Sequence, residues 1–147
     1  MIVADSSPLI VFARIKRLDI FKALFGVIYI PISVYQETVI ETTLEQQRDA
    51  VQNAIDTATI IVRDSTLTYP FTRKLGKGEQ GVLNLAQEIG AKGIIMDDKK
   101  ARNEARELGF SLLFTTDILR GAEQRGLITS SVDVIAQLNT MKIYLPG

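Results

Sequence analysis

The sequence contains no cysteine and no histidine. The absence of cysteine excludes disulfides, thiolate zinc sites and cysteine nucleophiles. The absence of histidine excludes imidazole bases, imidazole metal ligands and Ser-His-Asp triads. Any hydrolytic chemistry must therefore use carboxylates, lysine, tyrosine or hydroxyl groups. With such groups we expect a hard cation such as Mg²⁺ or Mn²⁺.

The chain also lacks long apolar runs and an excess of charge of either sign. No apolar run reaches the roughly 18 residues of a membrane-spanning helix, and the opening MIVADSS lacks the features of a leader peptide. We therefore expect no membrane association and a cytoplasmic location. With 17 basic and 17 acidic residues, a site for a polyanion must be a local patch. The 147 residues are expected to form one domain, 1–147.

Short apolar runs alternate with amphipathic stretches along the chain. The runs predict strands at 2–4, 27–30, 59–62, 93–96 and 111–115. Because these runs are continuously apolar and helical patterns separate them, they indicate a mostly parallel sheet covered on both faces. Residues 63–78 are predicted to form an irregular loop that Tyr69 and Phe71 help to order.

Local signals predict how several elements begin and end. Ser7 is a favourable N-cap, with Pro8 at the first helical position. Ser33 and Gln36 have the spacing of a capping box for the helix after the second strand. Residues 143–145 (IYL) are predicted to form an edge strand.

Acidic residues follow two of the predicted strands and lie beside the packed faces of two predicted helices. Asp5 follows IVA, and Asp97 and Asp98 follow GIIM. Glu37 and Glu79 lie near the apolar faces of their helices. Since parallel strands end at the same edge of a sheet, these carboxylates are expected to share one edge. Convergent carboxylates repel one another, so this arrangement indicates a site for a divalent cation.

Each acid also has a purely structural explanation. Asp5 can form a turn at the end of its strand, and Asp98 can be the N-cap of the next helix. Glu79 can complement a helix dipole, and Glu37 can be a solvated helical side chain. The convergence of the four on one edge is more informative than any one of them.

Basic residues lie close in sequence to these acids. They fit a phosphate-bearing substrate, although each cluster can also be a solvated surface. They are Arg14, Lys16, Arg17, Arg73, Lys74, Lys77, Lys99, Lys100, Arg102 and Arg106. The glycine-rich GKGEQG is not a P-loop, because the Lys-Ser/Thr ending is missing.

Five segments together resemble the PIN domain family, and more closely its VapC-like, PIN-like nucleic-acid-binding branch. They are SSPLI, IPISVYQE, GKGEQGVLNLA, IIMDDKKAR and AEQRGLI. The resemblance covers nearly the whole chain. It implies a three-layer α/β/α sandwich with a mostly parallel central sheet, and cleavage of RNA phosphodiester bonds that depends on Mg²⁺ or Mn²⁺.

The resemblance also implies roles for particular residues. The catalytic, metal-binding acids fall on Asp5, Glu37, Glu79 and Asp97. Residues that would support these acids from beside them fall on Ser7, Asp98 and Thr115. We expect nucleic-acid contacts from Lys77, Lys99, Lys100 and Arg102. Asp117 stands where the family has a small residue, and is expected either to cap a helix or to add charge to the cleft.

Three hypotheses follow. The first is a metal-dependent endoribonuclease for single-stranded RNA. Its extension is a role as the toxin of a toxin–antitoxin pair, with an antitoxin and a second copy of the chain as partners. The second is a catalytically inactive PIN-fold module that binds RNA or protein. The third is a phospho-acceptor receiver domain, which needs its acid pair after the first strand, whereas this chain has Asp97 and Asp98 late.

Overall fold

Five short strands form one parallel sheet in the computed structural model, which describes residues 1–146. The strands are β1 Ile2–Ala4, β2 Ile28–Ile30, β3 Ile60–Val62, β4 Gly93–Ile95 and β5 Ser111–Leu113. In the central strands, Val3, Ala4, Ile94 and Ile95 are completely buried. Because neighbouring residues of a strand face opposite sides, this burial means that both faces of the sheet are covered. The predicted α/β fold with a parallel sheet is confirmed.

Helices connect the strands and cover the sheet. They are α1 Ser6–Arg14, α2 Asp19–Phe25, α3 Ile32–Tyr35, α4 Glu45–Asp56, α5 Lys77–Ile89, α6 Lys99–Glu107, α7 Thr115–Gln124 and α8 Ser131–Thr140. A π-helical segment, Gln36–Ile40, continues α3. Within residues 1–146, no helix is both long enough and apolar enough to cross a bilayer.

The strand order places a crevice between β1 and β4. The order is β3-β2-β1-β4-β5, so the chain first moves outward from β1 and then returns to its other side. Ala4 pairs with Ile95, and the Asp5 backbone N–H donates to the Ile95 carbonyl at 3.0 Å. Ligands of open α/β sheets bind at such a reversal of strand order, beyond the carboxyl ends of the strands. The order also differs from the 2-1-3-4-5 order of receiver-type folds, which removes the third hypothesis.

The first helix begins earlier than the sequence predicts. Asp5, not Ser7, is the N-cap of α1, and its side chain accepts the Ser6 backbone N–H at 2.8 Å. Asp5 is extended, with φ −84° and ψ 174°, so the helix starts directly after it. Pro8 is therefore the third helical residue, where the first turn needs no N–H donor. The predicted Ser7 cap is wrong because the strand passes into the helix without a spacer.

The predicted capping box at Ser33 and Gln36 is also wrong. Pro31, with φ −76° and ψ 165°, occupies the N-cap position of α3, so Ser33 is already inside the helix. The Ser33 hydroxyl packs against Gly81 of α5, where a β-carbon would collide with it. The two helices approach closely because position 81 has no side chain.

Residues 143–145 do not form the predicted edge strand. Lys142 has a left-handed φ of 61°, and the Ile143 N–H donates back to the Leu138 carbonyl at 3.0 Å. This hydrogen bond reverses the chain after α8. The following residues line a cavity together with residues of α1, and Leu145 packs against the core.

The connection between β3 and α5 is irregular, as predicted. Tyr69 and Phe71 contact each other, with ring centroids 5.3 Å apart. A second anchor was not predicted: Thr72 and Arg73 bind the carboxylate of Glu104 in α6. The loop is thus fixed to the helix that follows β4.

Candidate active site

Asp5 lies at the centre of the crevice, directly beyond β1. It is 5% exposed, and its carboxylate accepts one hydrogen bond, from the Ser6 N–H. Burial raises the pKa of Asp5 to about 7; the Ser6 N–H opposes this shift, while the negative charges of Glu79, Glu37 and Asp98 add to it. The surroundings therefore favour a proton or a cation at this carboxylate.

Glu37 reaches this region from the π-helical segment after α3. π-helical turns change the direction of side chains and are frequent at functional sites. The Ser6 hydroxyl donates to Glu37 Oε2 at 2.8 Å. The carboxylate also lies against Gly78 of α5, where a β-carbon would occupy its space. Three separate elements thus position Glu37.

Ser6 is a residue that the sequence interpretation missed. The expected hydroxyl beside the acids was that of Ser7, but Ser6 makes the contact with Glu37. The Asp-Ser-Ser sequence at the end of a strand was a usable signal, because both serines follow the first acid. Ser7 is exposed and borders a cavity that Asp97 also borders.

Glu79 lies in the first turn of α5, where a negative charge is favourable near the helix N-terminus. Its carboxylate folds back toward Gly76, whose missing β-carbon leaves the space. Glu79 is also one of the charges that raise the pKa of Asp5. The position of Glu79 therefore fits two roles. It can complement the dipole of α5, and it can belong to the cluster of acids around Asp5.

Asp97 and Asp98 lie side by side but have different partners. Asp97 accepts the backbone N–H and the hydroxyl of Thr115, a fully buried residue at the start of α7. Asp98 accepts the Ala101 N–H at 2.9 Å, which confirms that it is the N-cap of α6. Asp98 still adds negative charge near Asp5, whereas the carboxylate of Asp97 is turned toward Thr115.

Asp117 stabilises the start of α7. Its carboxylate accepts the Phe114 N–H at 2.8 Å, and it pairs with Arg120 at 3.1 Å. Phe114 is the N-cap residue, so Asp117 caps from inside the first turn and is not itself the N-cap.

The acids supply oxygen donors of the kind that Mg²⁺ and Mn²⁺ prefer. Within residues 1–146, however, no three of them are arranged so that they would hold a metal ion as they stand. The fit to a cation rests on Asp5, a buried carboxylate with one hydrogen-bond donor and acids around it. Glu37 is exposed and Glu79 half-buried, so both have room to turn toward a cation.

The predicted nucleic-acid contacts differ in their exposure. Lys77, Lys99 and Lys100 are exposed in the first turns of α5 and α6. The Arg102 guanidinium lies 4.3 Å from the centroid of the Phe114 ring. The sequence predicted Arg73 to be one of the cations near Glu79. In the structure Arg73 pairs instead with Glu104 and Glu107 of α6.

A family model for the PIN domain matches residues 1–147. Among solved structures, a PilT N-terminus domain protein, SSO1118 from the archaeon Sulfolobus solfataricus P2, is 19% identical. The match covers 83% of this chain and 93% of that one, with a TM-score of 0.56. The PIN domain endonuclease Utp24 is 16% identical over 77% of this chain and 83% of its own, with a TM-score of 0.55. At these identities the likeness concerns the fold. A search of curated proteins found no significant match.

Proposed function

The chain belongs to the PIN domain family, and on this premise we propose that it is a metal-dependent endoribonuclease that cleaves single-stranded RNA. One structural relative is itself an endonuclease. The chain has no histidine or cysteine, so its chemistry would be that which carboxylates and a hard cation support.

The observation that carries the proposal is the environment of Asp5. A buried carboxylate is normally compensated by donors or cations, because burial of a charge without a partner is costly. Asp5 has one donor, and Glu79, Glu37 and Asp98 contribute like charge. Such strongly perturbed acids in a crevice are typical of functional sites.

Asp5, Glu37, Glu79 and Asp97 would hold the ion. When bound, Mg²⁺ or Mn²⁺ supplies positive charge that lowers the pKa of water and stabilises developing charge on phosphate oxygens. Ser6 would orient Glu37, and Thr115 would orient Asp97, through the hydrogen bonds already present.

The exposed lysines would position the RNA backbone. Lys77 begins α5, and Lys99 and Lys100 begin α6, beside the acids at the same edge of the sheet. Phosphate contacts by lysine add affinity without reading sequence. We therefore expect cleavage to weaken with rising salt.

The test is cleavage of an RNA pool by purified protein with Mg²⁺ or Mn²⁺. We expect Asp5→Asn to lower the rate by more than about 100-fold, since it removes a proposed metal ligand. Asp98→Asn is the matched control, because asparagine is an equally good N-cap and the change in charge is the same. Its rate is expected to fall only several-fold. Equal rates for wild type and Asp5→Asn would contradict the proposal.

We further propose that this activity is that of a toxin restrained by an antitoxin, with cleavage of cellular RNA as its effect. The support is the resemblance of the five sequence segments to the VapC-like branch. Induced expression of the chain should arrest growth, and Asp5→Asn should relieve the arrest. A small reading frame directly upstream that restores growth when co-expressed would identify the partner; growth without arrest would exclude the toxin role.

A second candidate is a catalytically inactive PIN-fold module that binds RNA or protein. It is favoured by the finding that no three acids within residues 1–146 enclose a metal site. This function predicts RNA binding without cleavage under any divalent metal, and binding that Asp5→Asn leaves unchanged.

A further inference from the structure

A cavity of about 190 Å³ opens beside Asp97, between α1 and the residues that follow α8. We name Lys142–Pro146 the return segment. Polar groups of Ser7 and Asp97 lie at the cavity, and its walls are largely apolar. The lining includes Ser7, Ile10, Asp97, Ile143, Tyr144 and Leu145. The cavity therefore borders the acidic crevice directly.

The reversal at Lys142 forms this cavity. Its left-handed backbone and the Ile143-to-Leu138 hydrogen bond direct the return segment across α1. Ile143 and Leu145 are half-buried, and Leu145 packs against the core. Tyr144 lies between them and is 70% exposed.

The exposure of Tyr144 has no structural explanation. The other aromatic side chain among the exposed large hydrophobic residues of 1–146 is Tyr69, whose ring contacts Phe71. Tyr144 buries little surface, so it contributes little to folding. An exposed aromatic ring beside a crevice is a surface on which a planar ligand can stack.

We propose that this cavity binds one base of single-stranded RNA, with Tyr144 as its stacking surface. The cavity is smaller than the roughly 300–1,000 Å³ of sites for drug-sized ligands, and so suits a single heterocycle. Apolar walls with the Ser7 hydroxyl at one side match the faces and the polar edge of a base. Stacking on aromatic side chains is the usual way in which proteins hold unpaired bases.

This inference rests on the proposed function in that it takes RNA as the ligand. It adds a positioning residue, because a base held beside Asp97 would fix which phosphodiester bond lies over the acids. Tyr144 is thus a determinant of substrate position and of base preference, and it takes no part in the chemical step.

The experiment measures binding without cleavage, in the Asp5→Asn background. Ile10 and Ile143 are labelled at their methyl groups for NMR, and adenosine monophosphate is compared with ribose 5-phosphate, which lacks the base. We expect both methyl signals to shift with the nucleotide and not with the sugar phosphate. Affinity for a short single-stranded RNA should fall roughly 5- to 150-fold in Tyr144→Ala and stay near wild type in Tyr144→Phe.

Equal shifts with and without the base, or an unchanged RNA affinity in Tyr144→Ala, overturn the inference. A change of oligomeric state in Tyr144→Ala without base-dependent shifts assigns the surface to a second copy of the chain and also overturns it. If the wild type does not cleave RNA but the shifts depend on the base, the base site stands and the nuclease proposal fails. If RNA is cleaved with the same KM in Tyr144→Ala as in the wild type, the nuclease proposal stands and the base site fails.

Discussion

Glu104 and Asp5 are the two buried carboxylates of residues 1–146, and their surroundings are opposite. Glu104 accepts four hydrogen bonds of 2.8–3.1 Å from Thr72 and Arg73. Asp5 accepts one, from the Ser6 N–H. Burial acts to raise both pKa values. At Glu104 the hydrogen bonds from Thr72 and Arg73 outweigh burial and lower the pKa, whereas the pKa of Asp5 rises to about 7.

The difference separates an acid whose charge the fold compensates from one whose charge it leaves uncompensated. Glu104 fastens the loop between β3 and α5 to α6, and its partners supply the charge and donors that a buried carboxylate needs. Asp5 has no such partners, and its ionised form lowers the stability of the folded protein. Buried acids that lower the stability of the folded state in this way are typical of functional sites.

Removal of the Glu104 charge should have the largest effect on stability. Glu104→Gln loses the pairing with Arg73 and weakens the hydrogen bonds from Thr72, so the free energy of unfolding should fall by roughly 3 kcal/mol. Urea denaturation at neutral pH measures this. Glu107→Gln is the control, because Glu107 also pairs with Arg73 but its side chain is 58% exposed. It should change stability little. Equal losses in both variants would show that Glu104 has no special structural role.

The opposite change is expected at Asp5. Asp5→Asn keeps the acceptor for the Ser6 N–H and removes the charge, so it should raise the stability of the metal-free protein at pH 8 by on the order of 2 kcal/mol. Because the pKa rises from 3.8 to about 7 on folding, the folded state binds the proton more tightly. Wild-type stability should therefore fall as the pH rises through this interval, and the gain from Asp5→Asn should vanish near pH 4.

Glu104 gives the converse pH dependence. Its pKa is lowered on folding, so its contribution is present above the pKa of the unfolded chain and is lost as the pH falls through the folded value. Denaturation of wild type, Asp5→Asn and Glu104→Gln over a range of pH separates the contribution of Asp5 to the pH dependence of stability from that of Glu104. A gain from Asp5→Asn that is the same at every pH would contradict the assigned cause.

A smaller effect is expected from Gly78→Ala, which tests the position of Glu37. The new methyl group would occupy the space of the Glu37 carboxylate and displace it toward solvent. RNA cleavage should fall about 10-fold, with little change in stability. Gly121→Ala in α7 is the matched control, because its nearest neighbour is an ordinary contact at 3.9 Å from Leu24. An unchanged rate in Gly78→Ala would show that the Glu37 position is not needed.

The main features of the fold follow from local patterns in the sequence. The apolar runs at 2–4 and 93–96 predicted buried parallel strands, and parallel strands carry Asp5 and Asp97 to one edge. The choice between Ser6 and Ser7 could not be made in the same way. It depends on whether a spacer residue separates the strand from the helix, and periodicity does not resolve a single residue.

Local patterns in the sequence do not predict contacts between distant segments. The partners of Glu104 lie about thirty positions earlier in the chain, in a loop without periodicity. The position of Glu37 depends on a π-helical turn, which has no simple sequence signal. The course of the return segment depends on a left-handed residue, Lys142, where glycine or asparagine would be the usual signal.

On the proposed function, Asp5 is buried without a compensating protein partner because a divalent cation is its partner. The most direct measurement is the thermal stability of wild type and Asp5→Asn with increasing Mn²⁺, since a ligand that binds the folded state raises its stability. Mn²⁺ should raise the Tm of the wild type progressively and leave that of Asp5→Asn nearly constant. Equal responses in the two proteins, or no response in either, would show that Asp5 is not a ligand of a divalent cation.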